Sequence, residues 1–279
     1  EALDLVLHRA QEGPRLRLEK SDAVVENLER SSEPIVTDTI QRLRPTSALM
    51  DAGRDLAFMA DAIAMVRAAL PDHAVIGFAG GPLTLAAYMI EGRVSEDLRG
   101  VRDLASSDPA ALASLLASLT DAVLAALALQ VEAGADLVQV FDTWAGRLSP
   151  GEYDRWALPW TRAIAERLRA SGVPVILYVK GAARLIERME ATGADVLSVD
   201  SGLPMDEAVR RTGGRVAIQG NLDPSILFGP APAIREAVRW IVGRASPASL
   251  ILNLGHGVLP GTPVEGVAAF VEAAREARS

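Results

Sequence analysis

Leu250–Pro260 reads LILNLGHGVLP, a largely apolar run that ends in a histidine between two glycines. The apolar part lacks the strict alternation with polar residues of a strand that has one face in water, and this indicates a strand buried on both faces. Five other runs have the same character: Ala74–Phe78, Asp136–Phe141, Val173–Val179, Asp195–Val199 and Arg215–Gln219. Such strands are typical of a parallel sheet that is covered by helices.

Helical segments separate these strands. The tetrapeptide SPGE at Ser149–Glu152 has the spacing of a capping box with proline at the first helical position, which predicts a helix to about Ser171. Asp108–Pro109 predicts a second helix start, with an end near Gly134. Further helices are predicted to end at Gly193, Gly213 and Gly243. Repeated strand–helix units predict an α/β fold with a parallel sheet.

Glycine and polar residues follow every predicted strand. The strand ends read GFAGGP, VFDTWAG, YVKGAA, SVDSGLP, IQGNLDP and NLGHGVLP. In barrels and open α/β sheets the active site lies at these carboxyl ends. No strand is followed by G-x-G-x-x-G or G-x-x-x-x-G-K-[ST], the loops of nucleotide-binding folds. The pattern therefore favours a (β/α)8 TIM-type barrel.

A (β/α)8 barrel is closed by eight strands, but only six strand-like runs are recognised in the sequence, so two strands remain to be located. We expect a single barrel domain over residues 1–279, with 1–70 as a mostly helical and looped lead-in and 71–279 as βα repeats. A break in the lead-in is predicted at Ser31–Pro34. The two other strands are expected either within the lead-in or upstream of Glu1, where the sequence starts without methionine.

Composition excludes several classes of protein and site. A net charge of -8 argues against a nucleic-acid partner, because phosphate contacts need a basic face. The absence of cysteine excludes disulfides, thiol nucleophiles and thiolate metal sites, and it suits a cytoplasmic location. The longest apolar run, Ala110–Val131, is interrupted by polar residues and is interpreted as a buried helix rather than a membrane span. No membrane partner is expected.

His256 and Lys180 each have two readings. His256 is either a histidine in a turn or a ligand-contacting side chain, and its neighbours Gly255 and Gly257 favour the second because glycine lets backbone approach a ligand closely. Lys180, one of two lysines with Lys20, ends the strand VPVILYV. It is either a lysine that reaches the barrel rim or pairs with a carboxylate, which we favour, or a desolvated Schiff-base former.

Other polar residues at the strand ends leave the same alternatives open. Asp142, Asp200 and Asp223 could act as acids, bases or metal ligands, but without a companion motif they are better explained as caps or loop organisers. Thr143 could cap a helix or present a hydroxyl to a ligand. Tyr88 could belong to the core or to the rim.

Taken together, the strand ends resemble the uroporphyrinogen decarboxylase family. The resemblance rests on VIGFAGGPLTLAAYMIEG, VFDTWAGRLSPGEY, ADVLSVD, QGNLDP and NLGHGVLP, in this order, and extends from about Gly13 to the C-terminus. It implies a homodimeric (β/α)8 barrel with no metal and no organic cofactor. The implied activity is the removal of CO₂ from the four acetate side chains of uroporphyrinogen III to give coproporphyrinogen III in haem biosynthesis.

The resemblance also implies roles for five residues. Tyr88, Thr143 and His256 correspond to pocket residues that contact the substrate carboxylates, and Phe78 and Phe141 to apolar residues that line the cleft.

Two motifs of that family are absent from this sequence. They are RQAGR, whose arginines hold the carboxylates, and FSD, whose aspartate lies beneath the pyrroles. In the family both precede the segment that EALDLVLHRAQEGPRL resembles, so we expect them upstream of Glu1 and expect the chain as written to be inactive. A smaller departure is Ser201, where many relatives carry an aromatic residue.

Three alternatives remain. A corrinoid- or coenzyme-linked methyltransferase on the same barrel would bind zinc through His and Cys, which a chain without cysteine does not favour. A Schiff-base lyase would use Lys180. A non-catalytic barrel is the alternative if the N-terminal motifs are naturally missing.

Overall fold

The structure is a computed structural model that describes residues 52–92, 97–245 and 249–277. Its strands are β1 Ile76–Gly80, β2 Leu137–Phe141, β3 Val175–Tyr178, β4 Val196–Ser198, β5 Ala217–Leu222 and β6 Leu250–Leu254. They form one parallel sheet in which neighbours in sequence are neighbours in space, from β1 to β6. Each of the six predicted strands is therefore present, with ends displaced by at most three residues.

Helices fill the connections between the strands. They are α1 Ala52–Asp55, α2 Ala57–Ala69, α3 Pro82–Glu91, α4 Arg99–Ser107, α5 Pro109–Glu132, α6 Pro150–Trp156, α7 Leu158–Ala170, α8 Ile186–Glu190, α9 Met205–Thr212, α10 Ala231–Val242 and α11 Val264–Glu276. Short 3₁₀ turns follow three strands, at Thr143–Arg147, Ala182–Arg184 and Pro224–Phe228. This is the strand–helix alternation of a (β/α) barrel. The predicted break at Ser31–Pro34 lies outside the described residues.

The helix boundaries follow the local signals, with one exception. The Asp108 carboxylate accepts from the backbone N–H of Ala111 at 2.9 Å and begins α5. The capping box at Ser149–Glu152 is present in both directions. The prediction of a single helix as far as Ser171 is wrong, because the helix is interrupted at Ala157, between α6 and α7. Pro159 has no N–H to donate to the carbonyl group four residues earlier, so the first helix ends there.

The three helix-ending glycines are found where the sequence predicts them. Helices α9 and α10 end directly before Gly213 and Gly243, and Gly193 follows α8. Gly213 has φ of 60°, the left-handed conformation that closes a helix and that other residues rarely adopt.

Helix α5 differs from the sequence interpretation in one respect. It is 24 residues long and contains an 18-residue window with a mean hydropathy of 2.0, so by length and composition alone it could cross a bilayer. The polar residues that interrupt the run therefore do not by themselves rule out a membrane span. Of that window, 39% is buried within the described fold, with Leu116, Val123 and Leu127 in the core. Core helices of globular domains share this composition.

The two faces of the sheet differ in composition. Alternate residues point outward and join the helices in one buried core, among them Val138, Val140, Val175, Leu177, Leu197 and Ile218. The intervening residues face the inside of the barrel and include Phe78, Gln139, Phe141, Tyr178, Ser198, Gln219 and Asn253. The inner face is thus lined by aromatic and polar side chains, although the sequence runs read as almost continuously apolar.

Candidate active site

A cleft of about 260 Å³ opens where the strands end on the inner face. Its wall includes Phe141, Thr143, Tyr178, Asn253 and His256. These side chains come from the ends of β2, β3 and β6 and from the turns after β2 and β6. The position agrees with the expectation that the carboxyl ends of the strands carry the site.

Four rings form a continuous edge-to-face row across these strand ends. The ring centroids of Phe78 and Phe141 are 6.2 Å apart, those of Phe141 and Tyr178 are 5.7 Å apart, and those of Tyr178 and His256 are 6.5 Å apart. This geometry is favourable for aromatic pairs. Because the row connects β1 to the turn after β6, it brings three of the five predicted residues into one apolar wall.

His256 is held by the turn in which it lies. Its Nδ1 accepts from the backbone N–H of Gly257 at 2.7 Å, so in the neutral ring the proton resides on Nε2 and can be donated to a ligand. A methyl group at Gly255 would overlap the backbone nitrogen of Ser201, which explains why this position needs glycine. A side chain at Gly257 would meet nothing. Glycine is therefore needed at Gly255 because two loops approach each other closely there. Neither Gly255 nor Gly257 has a positive φ.

Tyr178 is a wall residue that the sequence reasoning missed. Its hydroxyl donates to the carbonyl of Gly255 at 3.3 Å. Burial, and secondarily the negative charge of Asp200, raises the pKa of Tyr178 to about 12, so the phenol stays protonated. It lies at the C-terminal end of β3 and pairs in register with Phe141. An aromatic residue at a strand end was the available signal, but the register that places it beside Phe141 needed the structure.

Three polar side chains form a second group that the sequence did not reveal. The amide nitrogen of Gln219 donates to Oε1 of Gln139 at 3.1 Å and to Oγ of Ser198 at 3.0 Å. All three residues are buried, and Gln139 and Ser198 also line the cleft. The remaining amide oxygen of Gln219 is buried and has no partner among the residues that the structure describes. We call Gln139, Ser198 and Gln219 the amide cluster; it forms the floor beneath the cleft.

The structure places the remaining predicted residues at different distances from the cleft. Thr143 lines it as the first residue of the 3₁₀ turn after β2. Tyr88, on α3, is not part of the cleft wall; it is 47% exposed, and its ring packs edge-on against Trp144 at 6.0 Å. Trp144 is the next residue after Thr143, so Tyr88 contacts the turn that carries Thr143. Phe78 adjoins the cleft through Phe141.

Asp142 anchors the same turn. Its Oδ1 accepts from the backbone N–H of Thr84 at 2.9 Å and from the Thr84 hydroxyl at 2.8 Å. The Thr84 oxygen in turn accepts from the Trp144 N–H at 3.1 Å. Asp142 is 1% exposed, and this burial raises its pKa to about 6 against the opposing effect of the Thr84 hydrogen bonds. Its role is to join the end of β2 to α3.

The other two strand-end aspartates also bind backbone. Asp200 accepts from the N–H groups of Gly181, Ala182 and Gly202. Asp223 accepts from the N–H of Ser225 at 2.8 Å. Both are loop organisers, as the sequence favoured.

The described residues also bear on two other possibilities, a metal site and a catalytic role of Lys180. Within residues 52–92, 97–245 and 249–277, no three His, Cys, Asp or Glu side chains are grouped as a metal site. Lys180 is exposed at the rim, in a second cleft that shares His256 with the first.

Comparison with known proteins gives the family. The family model described as uroporphyrinogen decarboxylase matches residues 27–277. The uroporphyrinogen decarboxylase of Nostoc punctiforme is 42% identical over 242 residues, which cover 86% of this chain and 67% of that protein. That of Myxococcus xanthus is 45% identical over 217 residues, which cover 77% and 62%. The chain therefore spans about two thirds of the length of these relatives.

A solved structure agrees with the fold. A methyltransferase from Methanosarcina mazei superposes with a TM-score of 0.70 at 22% identity, over 79% of this chain and 64% of that chain. At this identity the likeness shows the fold alone, and it agrees with the predicted (β/α)8 TIM-type barrel. Because the family model matches residues 27–277 and the two relatives are 42% and 45% identical to it, the chain belongs to the uroporphyrinogen decarboxylase family.

Proposed function

We propose that the protein decarboxylates uroporphyrinogen III to coproporphyrinogen III in tetrapyrrole biosynthesis, and that the cleft beside His256 binds the substrate. The observation that carries the proposal is the convergence of Thr143 and His256 on one cleft walled by Phe141 and Tyr178. Two hydrogen-bonding side chains on an apolar wall suit a ligand that is an apolar ring system with carboxylate arms.

The substrate can supply the electron sink for this reaction. A proton adds to a pyrrole carbon next to the acetate arm and makes the ring cationic. The bond to the carboxylate then breaks, CO₂ leaves, and the bonding pair moves into the ring. Protonation of the exocyclic carbon and loss of the ring proton give a methyl group and restore the pyrrole. Since the ring accepts the electrons, the reaction needs no metal or organic cofactor.

The described residues have binding and shielding roles in this scheme. The Nε2–H of His256 and the hydroxyl of Thr143 donate to a substrate carboxylate. The aromatic row from Phe78 to His256 keeps water from the reacting ring, which strengthens the electrostatic interactions in the cleft. Tyr88 lies outside the cleft wall described above and packs against Trp144, and it is proposed to contact a substrate carboxylate as the family resemblance implies. Asp142, Asp200 and Asp223 are engaged by backbone or Thr84 donors, so none is assigned the anion beneath the pyrroles.

The test is anaerobic turnover of uroporphyrinogen III by the natural full-length protein and by its His256→Ala variant, because the chain as given lacks the RQAGR and FSD motifs. We expect the variant to lose at least about tenfold in kcat/KM, because one hydrogen bond to a charged group is lost, while its thermal unfolding stays cooperative. His73→Ala is the matched control, since His73 is an exposed histidine before β1. Loss of the cooperative transition in His256→Ala would instead assign the histidine a structural role, and no turnover by the natural full-length protein would reject the proposed function.

The proposal extends to assembly and location. The family resemblance supports a homodimer in the cytoplasm, with no nucleic-acid or membrane partner. The net charge of -8 and the lack of cysteine are consistent with this. Sedimentation of the purified protein tests the dimer, and a monomer at micromolar concentration would contradict it.

A further inference from the structure

A second cleft, of about 390 Å³, lies on the other side of His256. Its wall includes Arg147, Lys180, Arg184 and Asp200 together with His256. His256 thus belongs to both clefts, and we call the second one the basic cleft. Three cationic side chains and one carboxylate meet there in a protein whose net charge is -8.

The carboxylate of Asp200 does not neutralise this cleft through an ion pair. Its two oxygens accept from the backbone N–H groups of Gly181, Ala182 and Gly202. Lys180 is exposed, and across the described ranges its ammonium group makes no ion pair or side-chain hydrogen bond. A lysine with no partner, beside two arginines, is an arrangement that binds an anion.

The walls of the basic cleft are joined to the turn that carries Thr143. Arg184 donates to the carbonyl of Gly146, the residue before Arg147, at 3.0 Å. Gly146 also packs against the carbonyl of Lys180 so closely that a methyl group there would overlap it. The backbone of Lys180 and the guanidinium of Arg184 are therefore held next to the turn that carries Thr143.

We propose that the basic cleft is a subsite for a propionate carboxylate of the substrate, with Lys180 as its main contact. The inference rests on the proposed function. The substrate carries carboxylate arms of two lengths around one macrocycle, and two clefts that share His256 can hold two arms of the same molecule. The acetate arms react and the propionate arms survive.

The charge of the cleft decides which arm it binds. A fixed ammonium or guanidinium group stabilises a carboxylate anion in the ground state. In the transition state that charge moves into the pyrrole ring as CO₂ leaves, so a cation at the reacting carboxylate would raise the barrier. A cationic subsite is therefore suited to an arm that keeps its carboxylate. The site beside Thr143 and the aromatic row, with neutral donors, is suited to the arm that loses it.

Lys180→Met tests this subsite, with Lys180→Arg as the variant that keeps the charge. Arg210→Met is the matched control, because it removes one positive charge from an exposed position on α9. In anaerobic turnover of uroporphyrinogen III by the natural full-length protein, we expect Lys180→Met to raise KM about tenfold with kcat within about twofold, the size expected for loss of one charged contact. Lys180→Arg is expected to restore most of the affinity, and Arg210→Met to match the unmodified protein.

Equilibrium binding of two fluorescent probes identifies the arm. Uroporphyrin III has acetate and propionate arms, and coproporphyrin III keeps only the propionates. Lys180→Met should weaken both by the same factor. Weakening of uroporphyrin alone would assign Lys180 to an acetate and overturn the proposal, as would no change for either probe. If the natural full-length protein binds both porphyrins yet does not turn over uroporphyrinogen, the proposed function fails. If it turns over uroporphyrinogen and its Lys180→Met variant is unaffected, only the subsite fails.

Discussion

The outer and inner faces of the sheet are built from alternate residues of the same strands, yet they differ in composition. On β3, Leu177 points to the helices and is fully buried, whereas Tyr178 points to the cleft and hydrogen-bonds the loop after β6. The outer face is aliphatic and joins the helices in one core. The inner face carries aromatic rings, amides and a hydroxyl. If the proposed site is correct, neighbouring residues of one strand serve stability and substrate binding separately.

This division follows from the geometry of the strand. Successive side chains point to opposite faces, so a strand of five residues contributes to the core and to the site at once. Substitutions on the outer face should change the free energy of unfolding and leave the chemistry of the folded protein intact. Substitutions on the inner face should do the reverse.

The largest expected effect is on the outer face. Leu177→Ala removes a fully buried side chain from the core and should lower the free energy of unfolding by about 2–5 kcal/mol, through lost burial and the cavity left behind. Urea unfolding measures the loss. Porphyrin affinity per folded molecule should be unchanged, and a large loss of affinity in conditions where the variant is folded would contradict the separation of the faces.

Asp142 is an exception to this contrast, since it places an ionisable group in the buried region. Its pKa of about 6 in the folded protein lies above the ordinary value of 3.8, so the folded state holds the proton more tightly. The stability that this proton confers is complete below pH 3.8 and is lost as the pH rises through about 6. The loss is on the order of 3 kcal/mol, because one pKa unit corresponds to about 1.4 kcal/mol.

Asp142→Asn is the variant that isolates this effect, because its amide cannot ionise. The free energy of unfolding of the unmodified protein should fall relative to that of Asp142→Asn between about pH 4 and pH 7. Chemical unfolding at a series of pH values measures the difference. A difference that stays constant over this range would show that the pKa of Asp142 is not raised in the folded protein.

The outer face could be predicted from sequence, and much of the inner face could not. Val138, Val140 and Leu177 stand in apolar runs whose length and turn signals identify buried parallel strands. The polar strand ends likewise predicted where Thr143 and His256 would lie. By contrast, Gln139 and Gln219 read as single polar interruptions of apolar runs, and only the sheet register brings them together.

Two further differences have local and tertiary causes. Pro159 carried the signal for the break between α6 and α7, but the strong capping box at Ser149 favoured one continuous helix. The position of Tyr88 depends on how α3 packs against the turn after β2, through Thr84, Asp142 and Trp144. Such packing has no signature in the spacing of residues along the chain.

Gln219→Leu tests the inner face at the amide cluster. The change removes two hydrogen bonds, but it also removes a buried amide oxygen that has no partner in the described structure. We therefore expect the free energy of unfolding to change by no more than about 1 kcal/mol, while Gln139 loses its fixed orientation and porphyrin affinity falls. Leu177→Ala is the comparison variant: a loss of stability as large as its loss would show that the amide cluster serves the fold rather than the cleft.

The smallest effect is expected from Tyr178→Phe, one residue away from Leu177. The variant keeps the ring between Phe141 and His256 and loses only a hydrogen bond of 3.3 Å to the carbonyl of Gly255. The free energy of unfolding should fall by about 1 kcal/mol or less, and kcat/KM by about threefold or less.

Because the pKa of Tyr178 is raised to about 12, the phenol is neutral well above physiological pH. The ratio of kcat/KM between the unmodified protein and Tyr178→Phe should therefore be the same from about pH 6 to pH 9. A ratio that changes over this range would mean that the hydroxyl titrates during catalysis, and Tyr178 would then act on the substrate rather than hold the loop that carries His256.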